Sequence, residues 1–299
     1  MNSLVTGAAG FIGSHLVEEL LKIGHTVTAI DNEYADNENF HWNDNSYNIR
    51  ADITDYKSMK NVFTNVDYVF HCAAESRIGP AIENPVNAVD INVKGTCVVL
   101  QCAREAGVKK VMYSSTSSGY GMNPYPNIET QPDDCLNPYS VSKVNGEKLC
   151  KMYTDLFDLD TVIFRYFNVY GNRQPLRGQY APVIGIFLRQ LAAGEPLTIV
   201  GDGEQRRDFV NVEDVARANI MAAISNQDPE VYGQVYNVGT GINHSVNDIA
   251  RMFNTETVYI PPRLGEAKVS LANTEKIEKT FGWKSYIKLE DWIGGVLNG

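Results

Sequence analysis

Short apolar runs alternate with longer helix-periodic stretches through the first half of the chain. Residues 4–6 are β-type, and apolar side chains then recur at positions 12, 16, 17, 20 and 21, the spacing of one helix face. Gly24 stands where the cap of that helix is expected. Further strands are predicted at 26–30, 68–71 and 110–115, and long helices at 85–106 and 138–156. Because short apolar strands alternate with helices, the pattern predicts a parallel sheet that is covered on both faces.

The second half of the chain has a looser pattern. After a loop-like stretch at 171–182, a helix, a strand and a second helix are expected at 183–193, 197–200 and 212–223. Pro261-Pro262 then interrupts the chain. We therefore predict an α/β protein in two interleaved parts. The larger part covers residues 1–170 with returns near 209–240, and the smaller part covers residues 171–299.

The charge balance narrows the choice of partners. The chain has 26 basic and 36 acidic side chains and a formal net charge of −10, which makes nucleic acids and anionic membranes poor partners. No apolar run is long enough to span a bilayer, and the first residues begin a strand rather than a leader. The five cysteines show no C-x-x-C spacing, so we expect reduced thiols and no metal site. These features together favour a cytoplasmic protein.

A glycine-rich turn follows the first strand and opens the first helix. Gly7, Gly10 and Gly13, with Phe11 and Ile12 between them, permit a tight turn and let the backbone approach a pyrophosphate at the helix N-terminus. Asp31 ends the second strand, where a carboxylate binds the hydroxyls of an adenosine ribose.

The same carboxylate repels a 2′-phosphate, and the segment from Asn32 to Asn48 contains no Lys or Arg to hold one. The motif therefore predicts NAD rather than NADP. The larger part of the chain is accordingly predicted to be a Rossmann-type doubly wound parallel sheet, and the smaller C-terminal part a substrate-binding domain.

A second group of residues has the chemistry of proton transfer. Asn137 and Pro138 predict the start of a helix, and Tyr139 and Lys143 then lie four apart on one helical face. A phenol has a pKa of about 10, and lowering it by roughly three units requires about 4 kcal/mol. Lys143 and a positively charged nicotinamide together are expected to supply that stabilisation. Ser114 and Thr116 end a predicted strand, at the sheet edge where ligands bind.

These motifs in this order resemble the extended short-chain dehydrogenase/reductase family, and within it the nucleotide-sugar epimerases and dehydratases. The resemblance covers nearly the whole chain. Its further segments are Asp52-Ile53, His71-Cys72-Ala73-Ala74, Asn92-Val93-Lys94-Gly95-Thr96, Arg165-Tyr166-Phe167-Asn168, Gly201-Asp202-Gly203, Arg207-Asp208-Phe209, Tyr236-Asn237-Val238-Gly239 and Pro262-Arg263-Leu264-Gly265-Glu266.

The resemblance implies a role for each matching residue. Besides the glycine turn and Asp31, the cofactor-binding residues would be Asn32, Asp52, Ile53, Cys72, Ala73, Ala74, Asn92, Ser114, Tyr139, Lys143 and Phe167. Among them, Asp52 and Ile53 would flank the adenine, and Phe167 would lie by the nicotinamide. Asn168, Arg207 and Arg263 would hold a substrate diphosphate, and Glu266 a ribose. The helices at 85–106 and 138–156 resemble those that pair in family dimers, which implies a homodimer.

Two departures from the family pattern refine the prediction. Ala73-Ala74-Glu75-Ser76 resembles the dehydratases, but those enzymes carry a Glu directly after the catalytic Thr, and here Ser117 follows Thr116. Water elimination needs an acid and a base near the leaving hydroxyl, so the sequence favours an epimerase. The resemblance also implies a small or polar residue where Arg77 stands, and the sequence assigns Arg77 no role.

The sequence therefore predicts an NAD-dependent 4-epimerase of a nucleotide-diphosphate hexose, with UDP-glucose and UDP-galactose as substrates. Tyr139, Thr116 and Lys143 are the predicted catalytic residues, and a transient 4-keto sugar is the predicted intermediate. In the related 4-epimerases the position seven after Arg263 borders the C2 substituent of the sugar, so the resemblance implies this role for Ser270. A small residue there resembles the enzymes that also accept N-acetylated sugars, which implies the N-acetylated UDP-hexosamines as additional substrates. The alternatives are a dehydrogenase or ketoreductase of the same family, the same enzyme with another carrier nucleotide, and a non-catalytic NAD-binding protein.

Overall fold

A parallel sheet organises the chain. The computed structural model describes residues 1–35, 40–176, 182–261 and 268–298. In this part of the chain seven strands form one sheet in the spatial order β11-β6-β5-β4-β1-β2-β3, and each neighbouring pair is parallel. The strands of this sheet are β1 (Asn2–Thr6), β2 (Thr26–Asp31), β3 (Tyr47–Arg50), β4 (Tyr68–His71), β5 (Lys110–Thr116), β6 (Asp160–Tyr166) and β11 (Gln234–Val238).

Helices cover both faces of the sheet and continue into the C-terminal part. They are α1 (Phe11–Lys22), α2 (Tyr56–Met59), α3 (Ile78–Glu83), α4 (Pro85–Val89), α5 (Thr96–Ala106), α6 (Pro138–Phe157), α7 (Val183–Ala193), α8 (Val212–Ile224), α9 (Val246–Phe253), α10 (Glu275–Phe281) and α11 (Leu289–Asn298). A π-helical segment, Asp90–Gly95, joins α4 to α5, so the long helix predicted at 85–106 contains one widened turn.

The central strands are apolar on both faces because each face has its own core. Leu4 packs into one cluster of buried side chains and its neighbour Val5 into the other. The same alternation separates Val69 from Phe70 in the next strand, since successive side chains of a strand point to opposite faces. The sequences of these strands are consequently continuous apolar runs, which is typical of a parallel sheet with two covered faces.

A third cluster of buried side chains lies in the C-terminal part. It is built on α7, α9, α11 and the strand β8 (Leu197–Val200), with Ile184, Phe187, Leu197 and Ile249 among its fully buried members. Short pairs of strands complete this layer: β8 with β13 (Thr257–Ile260), β9 (Arg206–Asp208) with β12 (Asn243–Ser245), and β7 (Val169–Tyr170) with β10 (Val210–Asn211).

The chain returns from this layer to the large sheet. β11 pairs in parallel with β6, and α8 packs against α1. Both elements lie in the stretch 209–240, which was expected to return to the large sheet. The predicted boundary between the two parts at residue 170 stays a prediction. Three strands of the large sheet, β3, β6 and β11, were not among the strands predicted from the pattern, although β11 lies in the stretch expected to return. The Rossmann-type doubly wound sheet itself is confirmed.

Two features of the described residues concern membranes and cysteine chemistry. No helix there combines the length and the apolar character that crossing a membrane requires. All five cysteines are free thiols, two of them fully buried.

Candidate active site

A cavity of about 630 Å³ opens at the carboxyl edge of the sheet and extends to the C-terminal layer. Its wall combines the glycine turn, the loops after β2, β4, β5 and β6, and the segment around β9. The predicted site residues that line it are Gly7, Gly10, Phe11, Ile12, Gly13, Asp31, Asn32, Asp52, Ile53, Cys72, Ala73, Ala74, Thr116, Tyr139, Asn168, Arg207 and Ser270. The fold therefore brings candidate cofactor, catalytic and substrate residues to one space.

The glycine turn is packed too closely for side chains at two of its positions. A Cβ on Gly7, whose φ is +67°, would lie 2.7 Å from the Ala73 nitrogen, and a Cβ on Gly13 would lie 2.1 Å from the Gly7 oxygen. Gly10 is the N-cap of α1, and no side chain caps this helix end. The uncapped first turn of α1 therefore fits a pyrophosphate, as the NAD assignment requires.

Asp31 is held in place by the backbone around it. Its Oδ2 accepts a hydrogen bond from Ala9 N at 3.1 Å, and its Oδ1 accepts one from Glu33 N at 2.8 Å. Burial raises the pKa of this carboxyl. Arg50 is the register partner of Asp31 on β3, but its guanidinium pairs with Glu33 at 3.0 Å. The cation on the neighbouring strand is thus engaged by a carboxylate, which fits NAD better than NADP.

The adenine end of the cavity carries a second carboxylate. Asn32 Nδ2 donates to Asp52 Oδ2 at 3.0 Å, which ties the end of β2 to the loop after β3. Hydrogen bonds from Thr54 and Asn32 lower the pKa of Asp52 despite its partial burial.

The catalytic candidates meet at the start of α6. Asn137 caps this helix, since its side chain accepts a hydrogen bond from Ser140 N at 2.9 Å, and Pro138 occupies the first turn. Thr116, at the end of β5, lies next to Tyr139. Burial raises the pKa of Tyr139, the Thr116 side chain opposes that rise, and the charge of Glu75 adds to it.

Lys143 is buried one helical turn after Tyr139. Its Nζ lies 4.4 Å from the centre of the Tyr113 ring, and burial lowers the pKa of Lys143 to about 8. The lowering of the Tyr139 pKa by Lys143 together with a bound nicotinamide stays a prediction.

Four predicted cofactor residues lie behind the cavity wall rather than in it: Lys143, Asn92, Ser114 and Phe167. The Ser114 hydroxyl contacts Cys72 Sγ at 3.3 Å and Tyr166 Oη at 3.1 Å. Phe167 is fully buried against Tyr120.

Asn92 is fixed by three hydrogen bonds, two with the backbone of Glu75 and one with Ser142 Oγ. The roles of Asn92, Ser114 and Phe167 in cofactor binding stay predictions.

The substrate candidates cluster where β9 meets the segment after residue 267. Asn168 Nδ2 donates to Asp208 O at 2.8 Å and contacts Ser270 Oγ at 3.3 Å. Arg207 Nη1 donates to Arg206 O at 3.0 Å and to Lys268 O at 3.2 Å. Ser270 lines the cavity beside these residues. The predicted Arg263 and Glu266 lie outside the described residues.

Reasoning from the sequence assigned no role to four further residues: Glu75, Arg77, Glu147 and Arg165. Glu75 is buried near Tyr139, and Arg77 lines the cavity. Beneath the end of β5, Glu147 and Arg165 form a buried ion pair. The sequence could have indicated a buried role for Glu147, because it lies four residues after Lys143 and therefore on the same face of α6.

Comparison with known proteins agrees with this geometry. The model of the NAD dependent epimerase/dehydratase family matches residues 3–239. The UDP-glucose 4-epimerase of Mycolicibacterium smegmatis is 36% identical over 98% of this chain and 96% of its own length. The solved UDP-glucose 4-epimerase of Thermotoga maritima, bound to UDP-glucose, is 34% identical with a TM-score of 0.92, covering 98% of this chain and 96% of that one.

A second solved structure, the UDP-N-acetylglucosamine 4-epimerase of Methanobrevibacter ruminantium in complex with UDP-N-acetylmuramic acid, is 32% identical with a TM-score of 0.90. It covers 98% of this chain and 95% of its own.

Proposed function

This chain belongs to the NAD-dependent epimerase/dehydratase family, and on that basis we propose that it is a 4-epimerase of nucleotide-diphosphate hexoses. The proposed substrates are UDP-glucose and UDP-galactose, together with the N-acetylated UDP-hexosamines. The observation that carries the proposal is the pairing of Thr116 with Tyr139 in a cavity that the glycine turn lines at one end and Arg207 at the other.

The residues that would hold NAD are the glycine turn at the pyrophosphate, Asp31 at the adenosine ribose, and Asp52 and Ile53 beside the adenine. When bound, NAD would supply the acceptor and then the donor of the hydride at the sugar C4, so that no net oxidation of the sugar occurs.

Tyr139 Oη takes the proton of the 4-hydroxyl and later returns it, and the Thr116 hydroxyl relays or steadies that proton. Because burial raises the pKa of Tyr139, the phenolate needs nearby positive charge. The Lys143 ammonium, one helical turn away, contributes to that charge. Asn168 and Arg207 hold the diphosphate while the 4-keto sugar turns and presents its other face.

Epimerisation rather than dehydration is supported by the residues that follow Thr116. Ser117 and Ser118 begin a tight 3-10 turn there, and Ser118 N donates to Thr116 Oγ1 at 3.1 Å. Neither carries a carboxyl that could act as acid or base on a leaving hydroxyl. The carboxylate of Glu75 is buried and accepts a hydrogen bond from Arg77 N at 3.2 Å.

The test is incubation of the pure protein with UDP-, dTDP-, GDP- and CDP-hexoses, followed by separation of the products. UDP-glucose and UDP-galactose should interconvert with no lasting absorbance of reduced nicotinamide, and dTDP-glucose should yield no 6-deoxy-4-keto product. Lasting accumulation of reduced nicotinamide would favour the dehydrogenase alternative. NAD binding without turnover of any sugar would favour the non-catalytic one.

We also propose a homodimer that works in the cytoplasm. Large apolar side chains are exposed on neighbouring helices: Ile82 of α3, Val86 and Val89 of α4, and Val141 of α6. Val86 keeps 78% of its surface exposed, which favours a second copy as the cover. Light scattering on the wild type and on Val86→Glu tests the dimer. The five free thiols support a reducing compartment.

A further inference from the structure

Arg77 is attached to the helix turn that carries Tyr139 through a chain of hydrogen bonds. The side-chain amide of Asn92 accepts from Glu75 N at 2.8 Å and donates to Glu75 O at 2.9 Å. The same amide donates to Ser142 Oγ at 2.8 Å, and Ser142 Oγ donates to Tyr139 O at 2.8 Å. The segment that presents Arg77 is therefore fixed relative to the catalytic phenol.

The Arg77 guanidinium keeps most of its hydrogen-bonding capacity. Its Nε lies 3.9 Å from Glu75 Oε1, which is an ion-pair distance but too long for a hydrogen bond. Among the described residues, its side chain makes no shorter polar contact. The side chain is 28% exposed and lines the same cavity as Ser76, Ser118 and Tyr139. A planar group with five N–H donors thus stands in the wall of the cavity that Tyr139 also lines.

The position of Arg77 in the cavity indicates which part of the sugar its side chain would contact. Under the proposed function, on which this inference rests, C4 of the sugar lies at Tyr139 and the diphosphate lies at Asn168 and Arg207. The diphosphate therefore already has its partners at the other end of the cavity. C6 is only two bonds from C4, so its substituent lies near Tyr139, on the side of the cavity to which the Arg77 segment is tied by these hydrogen bonds.

We propose that Arg77 recognises a carboxylate at C6 of the sugar, so that the site takes UDP-uronic acids as well as neutral UDP-hexoses. A guanidinium matches a carboxylate with two parallel hydrogen bonds, whereas a neutral hydroxymethyl group offers no charge to pair with. The chain has a net charge of −10, so an acidic substrate needs such a local cation. Glu75 approaches Arg77 at Nε, which leaves both terminal nitrogens of the fork for the substrate.

The experiment compares the wild type with Arg77→Met, Arg77→Lys and a matched control, Arg251→Met. Arg251 is a surface arginine of α9 with 72% of its side chain exposed, so the control removes the same charge away from the wall near Tyr139. kcat/KM is measured for UDP-glucuronate and UDP-glucose, and the dissociation constants of both sugars are measured by calorimetry on NAD-loaded protein.

The wild type should epimerise UDP-glucuronate and bind it more tightly than UDP-glucose. Arg77→Met should reduce the preference for UDP-glucuronate over UDP-glucose by about 10- to 100-fold, both in the ratio of the two kcat/KM values and in the ratio of the two affinities. This is the range of hydrogen bonds between charged groups. Arg77→Lys should keep part of the preference for UDP-glucuronate, because it retains the positive charge but lacks the two-pronged guanidinium. Arg251→Met should leave this preference as in the wild type.

The outcomes separate this inference from the proposed function. If UDP-glucose is epimerised and UDP-glucuronate is neither turned over nor bound, the role of Arg77 is wrong and the proposed function stands. If no sugar is epimerised, the proposed function fails, and the binding ratio still decides the role of Arg77. A purely structural Arg77, paired only with Glu75, would lower stability in Arg77→Met and leave the ratio unchanged, which overturns the inference.

Discussion

Glu147 of α6 and Arg165 of β6 form a buried ion pair joined by two hydrogen bonds. Arg165 Nε donates to Glu147 Oε1 at 2.8 Å and Arg165 Nη2 donates to Glu147 Oε2 at 2.6 Å, with both side chains at most 6% exposed. The Ser115 hydroxyl also donates to Glu147. Since Thr116 is the next residue, this pair supports the strand end that presents the catalytic hydroxyl.

Arg165→Met should destabilise the protein by about 3–5 kcal/mol, because it leaves the buried Glu147 carboxylate without its partner. The free energy of unfolding is measured by urea titration. The double variant Arg165→Met/Glu147→Leu should recover part of the loss, since it removes the stranded charge. A loss below about 1 kcal/mol in the single variant would show that the pair is not stabilising in this way.

Tyr139→Phe should lower kcat by about 10²- to 10⁴-fold, the usual contribution of a general acid–base group. The change deletes one hydroxyl, so the fold and the NAD content of the purified protein should stay close to wild type. Tyr47→Phe is the matched control, because the Tyr47 ring is exposed on the edge strand β3. Turnover of Tyr139→Phe near the wild-type rate would rule out the proposed proton transfer.

Lys143→Met should change how stability depends on pH. In the folded protein burial lowers the pKa of Lys143 to about 8, below the value of about 10.4 for an unfolded chain. Between these values the unfolded state binds more protons, so Lys143 makes wild-type stability rise with pH, by at most about 1.4 kcal/mol per pH unit.

Unfolding free energies of wild type and Lys143→Met, measured from pH 7.5 to 10, should therefore differ progressively. The wild type should gain stability relative to the variant as the pH rises above 8. A difference between the two that stays constant across this range would contradict the lowered pKa.

Asp31→Asn should narrow the preference for NAD over NADP. The variant removes the charge that repels a 2′-phosphate but keeps an oxygen that can accept from Ala9 N or Glu33 N. We expect the ratio of the two dissociation constants to fall by about 10- to 100-fold, as for hydrogen bonds to charged groups. Asp44→Asn, on an exposed turn, should keep the wild-type ratio. A wild type that prefers NADP would refute the role given to Asp31.

Ser270→Tyr should restrict the enzyme to sugars without an N-acetyl group. Ser270 lines the cavity and contacts Asn168, so a phenol ring there would fill space that the acetamido group sweeps as the sugar turns. Overpacking costs about 1–3 kcal/mol, which lowers the rate for the N-acetylated pair by about 5- to 150-fold. Ser270→Ala is the control and should keep both activities. An unchanged preference in Ser270→Tyr would show that another residue forms this boundary.

The sequence by itself determined the features that depend on neighbouring residues. The spacing of Gly7, Gly10 and Gly13 sets a tight turn whatever surrounds it, and Asn137 with Pro138 starts a helix on which Tyr139 and Lys143 share a face. Central strands such as β4 could be predicted from the sequence, because both of their faces are buried and they are therefore continuously apolar.

The tertiary structure alone decided which polar groups meet. Asn92 and Glu75 are 17 residues apart, Glu147 and Arg165 are 18 apart, and Arg207 and Lys268 are 61 apart, so no local pattern records these contacts. β3 escaped prediction because it is an edge strand whose side chains are mostly exposed. Arg77 had no role in the sequence because the role proposed for it depends on the cavity that it lines with Tyr139, and that cavity exists only once distant segments have packed together.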